Sequence, residues 1–256
     1  MSMNEVKSAK RVLEILQFFA ASQAPASLSQ ISAALGFPKS SCLALLDTLE
    51  AEGYAYQASG RYYLTRRWLN EAELVAAHDQ VAARIRPVLE QLRAQLQETL
   101  ILAQRSGDRV MYLDVAEADR TVRFAAHVGQ TKPLHASASG RALLGLMPLP
   151  ERTRLVDRLR LEAYTGTTVI DRASLLEVIE QGNRRGWHAN LAEHQADTLS
   201  VAAPLVLHGM AFSLVVGAPM GRSGERVDEI GQALAAASRS LAQSIEPPRT
   251  TPSTKE

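Results

Sequence analysis

The spacing of apolar residues changes its period once, near Gly53, and that change restricts the fold of the N-terminal quarter more than any other feature. Val12, Leu13, Ile15, Leu16 and Phe19 fall on one helical stripe, with Ser8 placed to cap its start and a loop around Pro25 to end it. Leu28, Ile31 and Leu35 keep three-and-four spacing for a second, short helix, and Gly36 stands where that helix must stop and turn. Pro38 suits the first turn of a third helix whose Cys42, Leu45, Leu46 and Leu49 face inward. After Gly53 come two short β-prone runs, residues 54–57 and 61–64, joined by Ala58-Ser59-Gly60. Helix, helix, turn, helix, hairpin is the order of a winged helix-turn-helix. Such a third helix can lie in a DNA major groove while the hairpin tracks the adjacent backbone.

From Trp68 to about Leu96 a broad helical stripe runs through Leu74, Val81, Ile85, Val88, Leu92 and Leu96. Pro87 inside it predicts a break, with a linker helix up to about Ile85 and a new helix from near Pro87. Strands are expected at 100–104, 110–115 and 122–128, and helices at 141–147, 151–159 and 175–185. Two further strands, 199–207 and 211–218, are joined by His208-Gly209-Met210, and a last helix covers 227–245. The stretch 199–221 is uncharged and of membrane length, but Pro204, His208, Gly209 and Pro219 favour two strands over a spanning helix, so no membrane partner is expected. The reading is an α+β chain: a winged helix-turn-helix at 1–67, a linker helix at 68–85, a mixed α+β domain at 86–246 and a disordered tail at 247–256.

Composition enters mainly as exclusion. The 256 residues carry 28 Lys and Arg against 27 Asp and Glu, so bulk charge supplies no polybasic coat and any nucleic-acid contact must come from local placement. A single cysteine, Cys42, rules out an intramolecular disulfide and a cysteine-rich zinc site, and its inward position on the third helix makes it a small hydrophobe. The N-terminus lacks the apolar core of a signal peptide, and a cytoplasmic location is expected.

Two segments point to chemistry. On the third helix Lys39, Ser40, Ser41, Ala44, Asp47 and Thr48 lie off the apolar stripe, the first three at its N-terminal end. Hydroxyls, an ammonium and first-turn amides suit phosphates and base edges, and Arg61, Arg66 and Arg67 beside the hairpin add charge for a backbone clamp. Against this, residues 1–72 hold seven basic and six acidic side chains, which is the balance of an ordinary solvated surface. The order of elements decides for DNA. The second segment is 133–147, where a small-residue loop at 136–140 runs into an apolar helix and leaves amides for a carboxylate or phosphate. A tight loop with serine caps would look the same. A nucleophile elbow is excluded, because neither Ser137 nor Ser139 has the glycine required two residues before it. His188, Glu193, His194 and Asp197 match no standard metal spacing. No catalytic residue, metal or cofactor is assigned, since no base and nucleophile pair convincingly. The alternative is an enzyme that uses the C-terminal pocket and keeps the N-terminal helices for dimerisation.

Both halves resemble the IclR-type bacterial transcriptional regulators, from about Ser8 to Ile245. The N-terminal likeness rests on Ser8-x-x-Arg11-Val12-Leu13, Leu35-Gly36-Phe37-Pro38-Lys39-Ser40-Ser41 and Leu45-Leu46-x-Thr48-Leu49. The C-terminal likeness rests on Pro87-x-Leu89-x-x-Leu92, Glu98-Thr99, Val128-Gly129, the run from Pro133 to Leu144, Thr167-Thr168, Arg185-Gly186-Trp187, Glu193 and Ala202-Ala203-Pro204. The resemblance implies a homodimer or dimer of dimers on double-stranded operator DNA, and a GAF-like C-terminal domain for a small effector. It further implies that the Ser139 and Gly140 amides receive an effector carboxylate, with Leu134, Asn190, Ser200, Val215 and Gly217 around the pocket. This chain departs from the family at Ala44, where arginine is usual, at Ala192 and Asp197, and at Leu214-Val215-Val216-Gly217, where pocket hydroxyls are common. Few polar partners opposite an anion-binding loop, to which Arg141 adds charge, lead to an organic acid of mainly apolar body, aromatic ones included.

Overall fold

The computed structural model describes residues 6–78 and 80–245. The chain divides between Asp79 and Gln80 into two compact units. The tail expected from 247 onward lies outside the described residues.

In the first unit α1 (Lys7–Ser22), α2 (Leu28–Leu35) and α3 (Lys39–Ala51) precede a hairpin of β1 (Ala55–Ala58) and β2 (Arg61–Leu64), followed by α4 (Arg67–His78). Ile15, Ile31, Cys42 and Leu46 are fully buried in one core, which gathers the three stripes read from the sequence. Gly36 ends α2 in the left-handed region at φ 64°, which lets the chain turn into α3. Ser8 does not cap α1, whose N-cap is Val6 with no side-chain bond. The true side-chain cap is on α2, where Ser27 and Gln30 form a reciprocal capping box that the Ser-x-x-Gln spacing would have disclosed. The wing turn is Ser59-Gly60 alone, both at positive φ, so Ala58 belongs to the strand. Trp68 anchors α4 by donating from Nε1 to the Tyr54 carbonyl at 3.0 Å, its ring 4.5 Å from that of Tyr54.

The second unit opens with α5 (Gln80–Leu96), β3 (Thr99–Ser106), β4 (Arg109–Ala116) and β5 (Thr131–Pro133). Next come α6 (Ala138–Gly145), α7 (Leu149–Arg158), α8 (Arg172–Arg185), β6 (His188–Leu191), β7 (Thr198–Leu207) and β8 (Met210–Pro219). The one-turn α9 (Met220–Ser223) leads to α10 (Val227–Ile245). The six strands form one antiparallel sheet in the order β5-β4-β3-β8-β7-β6. α5 and α10 cover one face, while α6, α7 and α8 pack on the other.

Pro87 neither starts nor ends a helix; it lies inside α5. Ile85 and Leu89, on either side of it, are both fully buried with Leu92 and Leu96 in the same core. Four such side chains contribute about 1.5–3 kcal/mol each, which exceeds the roughly 3 kcal/mol that an interior proline costs. Residues 122–128 are not a strand. They pair with no strand, and side chains satisfy part of their backbone instead: Thr99 Oγ1 donates to the Phe124 carbonyl and Arg222 to the Val122 carbonyl. β5 and β6 were not anticipated; with three and four residues they are too short for alternation to register. α6 begins at Ala138, three residues before the expected start, because Ser137 caps it. The β7–β8 turn is His208-Gly209, two residues at positive φ, and Met210 pairs with Leu207.

Candidate functional site

On the first unit, Lys39, Ser40 and Ala44 are exposed along α3 and Ser41 is half-buried beside them. Cys42, Leu46 and Leu49 hold the opposite side of the helix in the core. The outer face presents one ammonium and two hydroxyls near an N-terminus whose cap, Pro38, makes no side-chain bond. Thr48, farther along, turns its hydroxyl back to the Ala44 carbonyl at 2.8 Å. Of the three hairpin arginines, Arg66 is the exposed one whose side chain makes no hydrogen bond or ion pair among the described residues. Arg61 reaches from the wing to the Pro25 carbonyl at 3.1 Å and so fixes the hairpin to the loop before α2. Arg67 stacks on the Tyr54 ring, pairs with Glu71 at 2.8 Å and donates to the Glu52 carbonyl. A clamp role expected for Arg67 therefore competes with a structural one at the base of the wing.

On the second unit the expected pocket residues do converge. Asn190, Ser200, Gly217 and Thr99 are successive partners across β6, β7, β8 and β3, and His188, Ala202, Val215 and Ile101 form the adjoining row. This is the sheet face that α6 covers. Leu134, Ser139 and Gly140 lie in the loop and first turn above it, all buried. Asn190 Nδ2 and Ser213 Oγ are buried on this face without a protein partner.

Three details differ from the sequence reading. The Gly140 amide donates to Ser137 Oγ at 3.1 Å, so the helix cap consumes it, whereas the Ser139 amide is not engaged in this way. Arg141 is not a free charge at the loop, because it is paired. Only 1% exposed, it forms a two-pronged pair with the Glu193 carboxylate and donates to the His135 and Ala189 carbonyls. Gly217 offers no open space either, because a Cβ there would stand 2.5 Å from the Phe124 ring. The distance in sequence between Glu193 and Arg141, and between Phe124 and Gly217, hid both contacts.

Among the described residues no group of three or more His, Cys, Asp or Glu side chains is placed to hold a metal, and no helix is long and apolar enough to cross a membrane. His188 is instead packed against the backbone of α8 at Gly182, with neither ring nitrogen bonded. Burial, reinforced by Arg185, Arg141 and Arg152, pushes its pKa down to about 3. The unfolded chain takes up this proton near pH 6.5 and the folded chain does not, so stability falls as pH drops from about 6.5 toward 3. We expect wild type to lose about 1 kcal/mol more per pH unit between pH 6 and 5 than His188→Gln, measured by urea unfolding. Equal slopes would show that the imidazole is protonated in the fold.

The IclR helix-turn-helix domain family matches residues 8–59, and the bacterial transcriptional regulator IclR C-terminal family matches residues 73–246. The chain is 30% identical to the probable transcriptional regulator SauR of Cupriavidus necator, over 87% of this chain and 90% of that protein. It is 26% identical to the transcriptional repressor IclR of Escherichia coli, over 89% of this chain and 85% of the repressor. Among solved structures, Thermotoga maritima IclR superposes with a TM-score of 0.78 at 18% identity, covering 94% of this chain and 99% of the other. An IclR homologue from Microbacterium hydrocarbonoxydans, solved with 4-hydroxybenzoate, gives a TM-score of 0.71 at 21% identity, covering 93% and 100%.

Proposed function

Because the chain belongs to the IclR family of bacterial transcriptional regulators, we propose that it binds operator DNA as a homodimer through α3 and the wing, under the control of a small organic acid held on the α6 face. It is a DNA-binding transcriptional regulator with an IclR-type effector domain, and its relatives are regulators and repressors, not enzymes. The observation that carries the DNA reading is the outward face of α3, where Lys39, Ser40, Ser41 and Ala44 stand clear of the core beside the hairpin. Residues 1–67 serve as the DNA-binding module, 68–85 as linker and 86–246 as effector domain. Arg61 and Arg66 approach the backbone, and Arg67 sets the wing's base. We place the protein in the cytoplasm, with its DNA.

A module this weakly basic makes few phosphate contacts, and two copies double them. α4 exposes Leu69 (47%) and Val75 (73%), apolar surface that a dimer, alone or in a dimer of dimers, would cover. On the second unit, Leu134, Ser139, Gly140, Asn190, Ser200, Val215 and Gly217 surround the acid, Gly217 becoming accessible where the Phe124 ring moves off it. The unbonded Asn190 Nδ2 supports a polar ligand group there, and the 4-hydroxybenzoate of the Microbacterium relative supports an aromatic acid. The acid acts only through unequal affinity for the DNA-competent and DNA-incompetent arrangements.

The test is selection from random duplexes with the full chain, followed by a salt titration on the enriched sequence. Two protomers per site and a steep loss of affinity with salt are expected, and Lys39→Ala should flatten the log–log slope by about one unit for each protomer engaged. Salt-independent binding, or no enrichment, would sink the reading.

A further inference from the structure

We propose that the ammonium group of Lys132 is the anion-binding element of the effector face, taking the carboxylate of an organic acid whose body displaces the Phe124 ring. This rests on the reading of the second unit as an organic-acid receptor, and it names the side chain that would recognise the acid.

Lys132 lies on β5 directly opposite Val110, whose side chain is in the core beneath α6, so the lysine is on that same face of the sheet. It is 9% exposed. The other buried cations of this unit have carboxylates: Arg141 has Glu193, and Arg152 has Glu180. Lys132 has no ion pair or hydrogen bond among the described residues. The neighbour whose charge reaches it is basic, Arg109 from β4, and Lys132 in turn acts on His194, in the segment after β6. Burial, and then Arg109, lower the Lys132 pKa from its ordinary value, and burial, then Lys132 and Arg109, lower that of His194 to about 4.

The partner the ammonium does have is an aromatic face, with Nζ 5.8 Å from the Phe124 ring centroid. That ring also fills the space over Gly217. It stands on an irregular segment held by side chains, with Thr99 Oγ1 donating to the Phe124 carbonyl at 2.8 Å, Arg222 to the Val122 carbonyl and the Ala126 amide to Glu117. The Lys132 side chain is largely buried while its Nζ keeps contact with solvent, and a carboxylate would compensate that partly desolvated ammonium better than a ring quadrupole does. One ligand supplies both missing pieces: its carboxylate neutralises Lys132, and its body fits the room that Phe124 vacates beside Val215, Ser200 and Asn190. The amide of Ser139 then contributes geometry, and the charge comes from Lys132.

The experiment uses the full chain, as wild type, Lys132→Met and Lys132→Arg, in thermal-shift and calorimetric titrations. The probes are 4-hydroxybenzoate, benzoate, 3-methyl-2-oxobutanoate and pyruvate, each beside its primary amide. The expected result is that at least one carboxylate, and not its amide, stabilises wild type. Lys132→Met should lose at least tenfold in that affinity while melting no lower than wild type when ligand-free, and Lys132→Arg should retain binding within about threefold. If Lys132→Met binds the acid as wild type does, the assignment of Lys132 is overturned while the organic-acid reading stands. If amides bind as well as acids, the anion site itself is overturned. If no probe binds wild type, the organic-acid reading fails and the Lys132 assignment with it. Should Lys132→Met fail to fold, loss of binding in Lys132→Arg would overturn the proposal by itself.

Discussion

Replacing Arg141 with methionine is expected to cost the second unit about 3–5 kcal/mol, a large share of the roughly 5–15 kcal/mol that holds a domain folded. The methionine keeps most of the volume and removes the charge, leaving Glu193, 9% exposed, as a carboxylate without its cation. Two backbone acceptors, the His135 and Ala189 carbonyls, lose their donors at the same time. Val169 still donates its amide to Glu193, which is too little to stabilise a buried charge. The pair joins α6 to the end of β6, and the Glu193 carbonyl accepts from Thr168, so the loss should also loosen the 165–169 loop. Urea unfolding followed by the fluorescence of Trp187, with Trp68 changed to phenylalanine in every protein compared, reads this unit. Adding Glu193→Leu to Arg141→Met should restore part of the loss, because the uncompensated charge then disappears. A single-variant cost under about 1 kcal/mol would mean that the pair is solvated in solution, contrary to its burial here.

Gly140→Ala is expected to be comparably severe for a different reason. A Cβ at Gly140 would stand against the carbonyl oxygen, Cα and carbonyl carbon of Leu134, closer than any real Cβ contact. Those atoms are backbone in a fully buried loop, so neither a rotamer change nor a shift of a flexible end relieves the clash. The cost is therefore placed at about 3 kcal/mol or more, at the upper end of what overpacking produces. Gly217→Ala is the informative contrast. The nearest atoms its new methyl meets belong to the Phe124 side chain rather than to backbone, so a smaller cost of about 1–2 kcal/mol is expected. Circular dichroism melts of the two variants in parallel decide the matter. If Gly140→Ala melts with wild type, or no lower than Gly217→Ala, the close approach of α6 to the Leu134 loop is not a feature of the folded protein.

Much of this protein was legible before any coordinates. Local periodicity determined the three N-terminal helices, because Ile15, Ile31, Cys42 and Leu46 must share a core and their spacing states which face each helix turns inward. It also determined the β7–β8 hairpin and α10, both long enough for pattern and turn residues to agree. The functional class followed from the order of such elements together with the resemblance of the 133–144 run. On the second unit the sheet register brings Asn190, Ser200 and Gly217, which the family likeness named separately, into one row.

Only the tertiary structure decided what required two distant segments to meet. Pro87 reads locally as a helix breaker, yet the burial of Ile85 and Leu89 against the sheet outweighs one lost hydrogen bond. Residues 122–128 read locally as a strand, yet their backbone is held by distant side chains, with Thr99 donating to the Phe124 carbonyl and Arg222 to the Val122 carbonyl. Arg141 reads locally as charge beside an anion loop, yet a carboxylate 52 residues away pairs with it, and among the described residues of this unit the buried lysine or arginine without a carboxylate is Lys132. Periodicity records which face of an element is buried; it carries no information about what the buried face touches. Electrostatic roles depend on that second fact, since a charge acts through the distance to its partner and the solvent excluded between them.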